Sequence, residues 1–203
     1  AEGGKMLEEN VALEENLAKV KENIKAACER AGRDAGEVTL VAVSKMKPLE
    51  DIETLLKVGQ LEYGENYVQE LCEKEEHVSR PVHWHMIGHL QTNKVKYIID
   101  KVVLIHSVDS VHLAKQIEKE AAKKNITAQI LLQVNVAEED TKFGMDTDEV
   151  LRMAEEISQF PHVHIRGLMT SAPFVEDPEE NRCYFRKLHK LFVDIGEKNI
   201  DNV

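Results

Sequence analysis

The chain has 203 residues, 42% of them hydrophobic, and a formal net charge of -11. That size suits one large α/β domain, and that charge argues against nucleic acid or an anionic membrane as the main partner, since both select basic surfaces. No apolar run approaches the length of a membrane span. The stretch from Ala1 to Asn10 is acidic, without the apolar block of a signal peptide. The three cysteines, Cys28, Cys72 and Cys183, are far apart and odd in number, as expected of reduced thiols in a cytosolic protein. A small anionic ligand remains compatible, because a few lysines and backbone amides suffice to hold one phosphate.

From Lys5 to Ala31 the composition is helical. Leu13, Leu17, Val20, Ile24 and Ala27 form one apolar stripe, stopped by Gly32. This predicts a helix packed against the main body. Val38 to Lys45, V-T-L-V-A-V-S-K, is β-branched and almost uncharged, the pattern of a strand buried on both faces. On the strand period Thr39, Val41, Val43 and Lys45 share a face. Lys45 then stands at a strand-to-helix corner with its stem among apolar neighbours, where a lysine amine can shed its proton and attack a carbonyl. The competing reading is a lysine that snorkels from the strand end into solvent.

Strand and helix then alternate. Helices are predicted at Leu49–Val58, Tyr67–Glu76, Thr92–Ile99 and Val111–Lys124, the last capped by Ser110. Strands are predicted at Leu61–Asn66, Val82–Gly88, Val102–Val108, Ala128–Val136 and Val163–Thr170. Asp146-x-x-Glu149 resembles a capping box ahead of a stripe of Val150, Met153, Ala154 and Ile157. Asp177-Pro178-Glu179-Glu180 supplies an N-cap, an N1 proline and an acid in order, opening a helix to about Ile195.

Six strand–helix alternations with short connections point to one α/β domain with a parallel sheet. An open doubly wound sheet fits the count, but no glycine-rich first turn accompanies it. A (β/α)8 barrel needs eight strands, and six are found before the chain stops at Val203. On the barrel reading the informative positions are the strand ends: Lys45, Glu65 and Asn66, Gly88 and His89, Asp109, Asn135, and Met169 to Ser171. The pairs His83/His85 and His162/His164 each share a strand face and raise the question of a metal. Both lie at strand starts, the stability end of a barrel, so solvated or core-satisfied histidines are the favoured reading.

V-A-V-S-K at 41–45, Y-G-E-N-Y-V-Q-E at 63–70, W-H-M-I-G-H-L-Q-T-N-K at 84–94 and I-R-G-L-M-T at 165–170 occur in this order, with I-H-S-V-D-S at 105–110 and L-L-Q-V-N-V at 131–136 between them. Together they closely resemble the YggS/PROSC family of pyridoxal phosphate homeostasis proteins over nearly the whole chain after the first helix. The resemblance implies a TIM-type barrel like the N-terminal domain of alanine racemase, holding pyridoxal 5′-phosphate as an imine on the lysine of V-S-K, here Lys45. It implies Asn66 on the pocket rim and carries His89 and Met169 over as further cofactor-binding positions. It also implies a seventh strand, a glycine- and serine-rich turn and an eighth strand supplying most of the phosphate site; none of these is present in this sequence.

The expected function is therefore a cytoplasmic, monomeric carrier of pyridoxal phosphate, without catalysis of its own, that supplies pyridoxal-phosphate-dependent apoenzymes. A racemase-like amino-acid enzyme is the alternative. It ranks lower because racemases of this type add a second β domain that contributes a catalytic tyrosine. An aldolase-like barrel using Lys45 without a cofactor ranks lower again, since it leaves the six motifs unexplained.

Overall fold

The computed structural model describes residues 2–137 and 144–198. The stripe from Lys5 to Ala31 folds as one long helix, α1 (Glu2–Ala31), ended by Gly32 at φ 68, a backbone angle that glycine adopts without penalty. Leu13, Leu17 and Ile24 are half-buried and Cys28 is buried, but Val20 and Ala27 are exposed. The helix therefore meets the body, chiefly α2 (Leu49–Leu56), along a narrower line than the predicted stripe. Thr54 Oγ1 joins it to Asn10 Oδ1 at 3.2 Å.

Six parallel strands form one sheet: β1 (Ala42–Val43), β2 (Glu62–Glu65), β3 (His83–Met86), β4 (Val102–Val108), β5 (Ala128–Gln133) and β6 (Val163–Met169). Their order is β1-β2-β3-β4-β5-β6. A doubly wound sheet must reverse its strand order at a switch point, and this one does not. With right-handed crossovers throughout, a sequential order places all helices on one face, the arrangement of a barrel wall. Among the described residues β1 and β6 each pair with a single neighbour.

The covering helices are α2, α3 (Val68–His77), α4 (Val95–Ile98), α5 (Val111–Lys123), α6 (Val150–Ile157) and α7 (Arg182–Glu197). Alternate strand residues Tyr63, Trp84, Met86, Ile105, Ile130, Leu132, Val163 and Ile165 are buried with Ile52, Leu71, Ile98, Ile117, Ala154 and Ile157 from the helices. Trp84 is wholly buried, 6.2 Å from the Tyr63 ring, and its indole N–H donates to Glu75. On the other face Val43, Glu62, Gln129, Leu131, Gln133 and His164 are half-buried or exposed, although His85 among them is buried.

Several boundaries differ from expectation. The run Val38 to Lys45 is not a doubly buried strand: only Ala42 and Val43 join the ladder, and Val43 is 53% exposed. As an edge, β1 has one partner strand, and the approach to it is tied instead by the Gln60 side-chain amide donating to Leu40 O at 2.8 Å. Thr92–Lys94 is a 3-10 turn leading into a four-residue α4, so the predicted third helix is only partly α-helical. The capping box before α6 does not form. Glu149 is itself the capping residue, without a side-chain bond, and Asp146 contributes only its carbonyl to the Glu149 N–H. Ser110 caps α5 as expected, accepting from the Leu113 N–H, whereas Asp177 accepts from the Glu179 N–H but caps a 3-10 turn, Pro178–Asn181, ahead of α7 rather than the helix itself. No helix among the described residues is long and apolar enough to cross a membrane.

Candidate functional site

Ser44 decides how the first corner is built. Its N–H continues the ladder to Gly64 O at 2.9 Å, and its hydroxyl donates to Glu65 Oε1 at 2.8 Å on the helix-covered side. Strand alternation therefore sets its neighbours Val43 and Lys45 on the opposite face. Lys45 lies in the turn after β1 and is exposed, so the expected apolar surround for its stem is absent. No hydrogen bond or ion pair occupies its amine among the described residues. Met46 follows at φ 58, a left-handed angle costly for a residue with a Cβ.

Asn66 and His89 leave the ends of β2 and β3 and meet in one place. A Cβ on Gly88 would stand 2.8 Å from the Cα and carbonyl oxygen of Asn66, so only glycine lets these two loops approach so closely. Both residues line a cavity of about 780 Å³ between α3 and α4, with Tyr67, Cys72, Lys94 and Tyr97 among its walls. Burial pushes the Cys72 thiol up. His89 is exposed and lies near Asp109, whose carboxyl burial pushes up against the pull of that histidine. Lys45 and Met169 do not line this cavity. Met169 is half-buried at the end of β6, paired with Gln133, on the sheet edge opposite β1. The four expected positions thus all lie at or just beyond carboxyl ends of strands, but only Asn66 and His89 share a wall.

The lower half of the same face is closed by its own hydrogen bonds. His83 Nδ1 and His85 Nε2 donate to the two oxygens of Glu62 at 3.1 and 3.0 Å, since a carboxylate only accepts. His85 Nδ1 shares a 2.8 Å hydrogen bond with His106 Nε2. Burial, and then the charge of His85, lowers the His106 pKa to about 4. His162 pairs with Glu118 at 2.7 Å. Among the described residues no group of three or more His, Cys, Asp or Glu is arranged to hold a metal ion.

Sequence reasoning placed Glu65 at a strand end but missed Glu70 and Lys74, which join it beneath the corner. Lys74 Nζ, buried on α3, donates to Ser44 O, Glu65 Oε1 and Glu70 Oε2 at 2.7, 2.6 and 3.0 Å. Burial outweighs Lys74 and Ser44 and raises the Glu65 carboxyl. At Glu70 burial is outweighed by hydrogen bonds from Lys74 and the Met46 N–H, and the carboxyl falls below its usual range. The available signal was the four-residue spacing of Glu70 and Lys74, which places both on one helix face.

Pyridoxal phosphate brings an aldehyde, and the one feature of this rim that matches it chemically is the exposed primary amine of Lys45, without a hydrogen-bond or ion-pair partner among the described residues and next to the strand end that carries the Asn66 amide. The model of the alanine racemase N-terminal domain family matches residues 16–202. A pyridoxal phosphate homeostasis protein of Aquifex aeolicus is 46% identical over 178 residues, 87% of this chain and 78% of that protein. The structure of PipY from Synechococcus elongatus with pyridoxal phosphate bound has a TM-score of 0.74 at 30% identity, covering 86% of this chain and 81% of PipY. An alanine racemase of Clostridium difficile, 16% identical with a TM-score of 0.74 over 93% of this chain and 48% of its own, shares the fold. On these matches the chain belongs to the family of pyridoxal phosphate homeostasis proteins, built on the alanine racemase N-terminal fold.

Proposed function

We propose that this protein binds pyridoxal 5′-phosphate through Lys45 and takes part in intracellular homeostasis of that cofactor, as a cytoplasmic monomer that catalyses no reaction of its own. The observation that carries the reading is the Lys45 amine, exposed at the carboxyl end of β1 and without a hydrogen-bond or ion-pair partner among the described residues. The pyridoxal-phosphate-bound state of PipY supports the same assignment of ligand. The cofactor supplies an aldehyde, with which a primary amine condenses as one water leaves. Lys45 provides that amine, its reach set by the turn at Met46. Asn66 provides an amide on the adjacent strand end, His89 a titratable ring beyond it, and Met169 an apolar surface at the far edge. Pyridoxal-phosphate-dependent apoenzymes are the expected recipients, because a carrier of this kind has to release its cargo to a tighter site. The likeness to alanine racemase speaks for the fold alone at 16% identity, so the non-catalytic reading leads.

The test is mixing with pyridoxal phosphate, borohydride reduction and peptide mapping. A visible absorbance band and a reduced adduct on Lys45 are expected, both lost in Lys45→Ala. An adduct mapped to another lysine in the parent chain, or retained in Lys45→Ala, overturns the assignment. Incubation of the loaded protein with L-alanine is expected to yield no D-alanine; its appearance would replace the carrier reading with a racemase.

A further inference from the structure

The corner that carries Lys45 is held from behind by groups that bond to its two neighbours, Ser44 and Met46. Both residues flanking Lys45 are bound to one buried network. The Ser44 carbonyl accepts from Lys74 Nζ at 2.7 Å and the Ser44 hydroxyl donates to Glu65 Oε1. On the other flank the Met46 N–H donates to both oxygens of Glu70, at 3.0 and 2.8 Å. Lys74 closes the circuit, because the same ammonium that binds Ser44 O also bonds Glu65 Oε1 at 2.6 Å and Glu70 Oε2 at 3.0 Å. Lys74 is 8% exposed and Glu65 fully buried.

The residue types suit this task. An ammonium has three donors, and here three acceptors use all of them. The second oxygen of Glu65 has no partner among the described residues, so the whole link runs through Oε1. The turn needs such support: Met46 sits at φ 58, a strained angle that persists only where the surroundings over-determine it.

We infer that Glu65, Glu70 and Lys74 are positioning residues for covalent capture at Lys45, a buried ionic clamp that fixes the Ser44–Met46 backbone and so aims the free amine. The inference rests on the assignment of Lys45 as the cofactor-binding residue and adds to it the device that presents that residue. An ordinary structural ion pair would stabilise the fold without governing Lys45. The clamp does both, through backbone atoms one residue to either side.

The experiment uses the full chain with Glu70→Ala, Glu70→Gln and Lys74→Met. Glu70 is the cleaner position because its side chain is partly exposed, so its variants fold even where Lys74→Met does not. Two quantities are read: hydrogen–deuterium exchange of the peptide spanning residues 44–47 in the free protein, and the rate at which a borohydride-trappable adduct forms on Lys45 with pyridoxal phosphate. Losing a charge-assisted hydrogen bond at Met46 is expected to raise exchange in that peptide about tenfold and to slow adduct formation about tenfold in Glu70→Ala. Glu70→Gln, which keeps an acceptor for the Met46 N–H, restores part of both. Unchanged exchange at residues 44–47 overturns the clamp. Faster exchange with an unchanged adduct rate overturns its positioning role while leaving Lys45 as the capture residue. If the parent chain forms no adduct on Lys45 at all, the assignment of Lys45 itself fails, and the clamp is reduced to a structural contact.

Discussion

The two faces of the sheet are built for different purposes. On the helix-covered face Tyr63, Trp84, Met86, Ile105, Ile130 and Leu132 are 1% exposed or less, and Lys74, the one buried cation among the described residues, spends every donor it has. On the opposite face the lower half is a titratable chain, Glu62–His85–His106, and the upper rim offers an amine without a partner among the described residues. The first face is apolar and packed by helices, and the second carries polar and titratable groups. The link between them is one dipeptide step, since Ser44 is anchored in the covered layer and Lys45 is not.

The sharpest way to break this contrast is to cut into the covered face. Trp84→Ala removes a wholly buried indole and is expected to cost about 3–5 kcal/mol in urea unfolding. A loss below about 1 kcal/mol would show that the cover contributes far less than its burial implies.

A middle-sized effect is expected from the titratable chain. Burial and the charge of His85 bring His106 from 6.5 to about 4. Between these values the unfolded chain binds a proton that the folded chain refuses, so this group makes stability fall as the pH drops through the window. The loss is on the order of 2–3 kcal/mol. His106→Leu removes that contribution, and its unfolding free energy is expected to vary less between pH 7 and pH 4.5 than that of the parent. Parallel profiles for the two proteins would place His106 in contact with solvent.

The smallest effect belongs to the rim. Lys45→Ala, proposed above to abolish capture of the cofactor, is expected to change stability by less than about 0.5 kcal/mol, as for an exposed side chain without partners among the described residues. A larger loss in the cofactor-free protein would mean that the amine has a structural partner after all, and would blur the division between the faces.

The regular parts of this fold are legible because their signals are local and redundant. β4, β5 and β6 are rich in branched apolar residues, and α5 has a serine cap with its stripe at helical spacing. β1 misleads because an apolar run reports burial, not pairing: Val38 to Val41 approach the sheet without joining its ladder. The false capping box before α6 fails for a related reason, since Asp146-x-x-Glu149 has the right spacing but the helix begins after Glu149. At the site, Lys45, Asn66, His89 and Met169 could be named only through the ordered motifs of a family. Lys74 could not, because it sits in the run E-K-E-E, which reads as a solvated charged face. That it is buried depends on β1 and β2 bringing Ser44 and Glu65 to one point, a fact of tertiary register that no window of sequence contains. Likewise the alternation of His83 and His85 is visible, whereas their shared acceptor Glu62 depends on the pairing of β2 with β3.

The sequential strand order has a consequence for how the molecule comes into being. Among the described residues each strand after β1 pairs with the one synthesised just before it, so none of these ladders waits for a distant segment of chain. Closing each pairing requires only one helical crossover, the usual connection between adjacent parallel strands. As the chain leaves the ribosome, amino end first, each completed unit presents the edge on which the next one docks. The capture corner, made from β1, β2 and α3, is thus complete after His77, long before the sheet itself has finished growing.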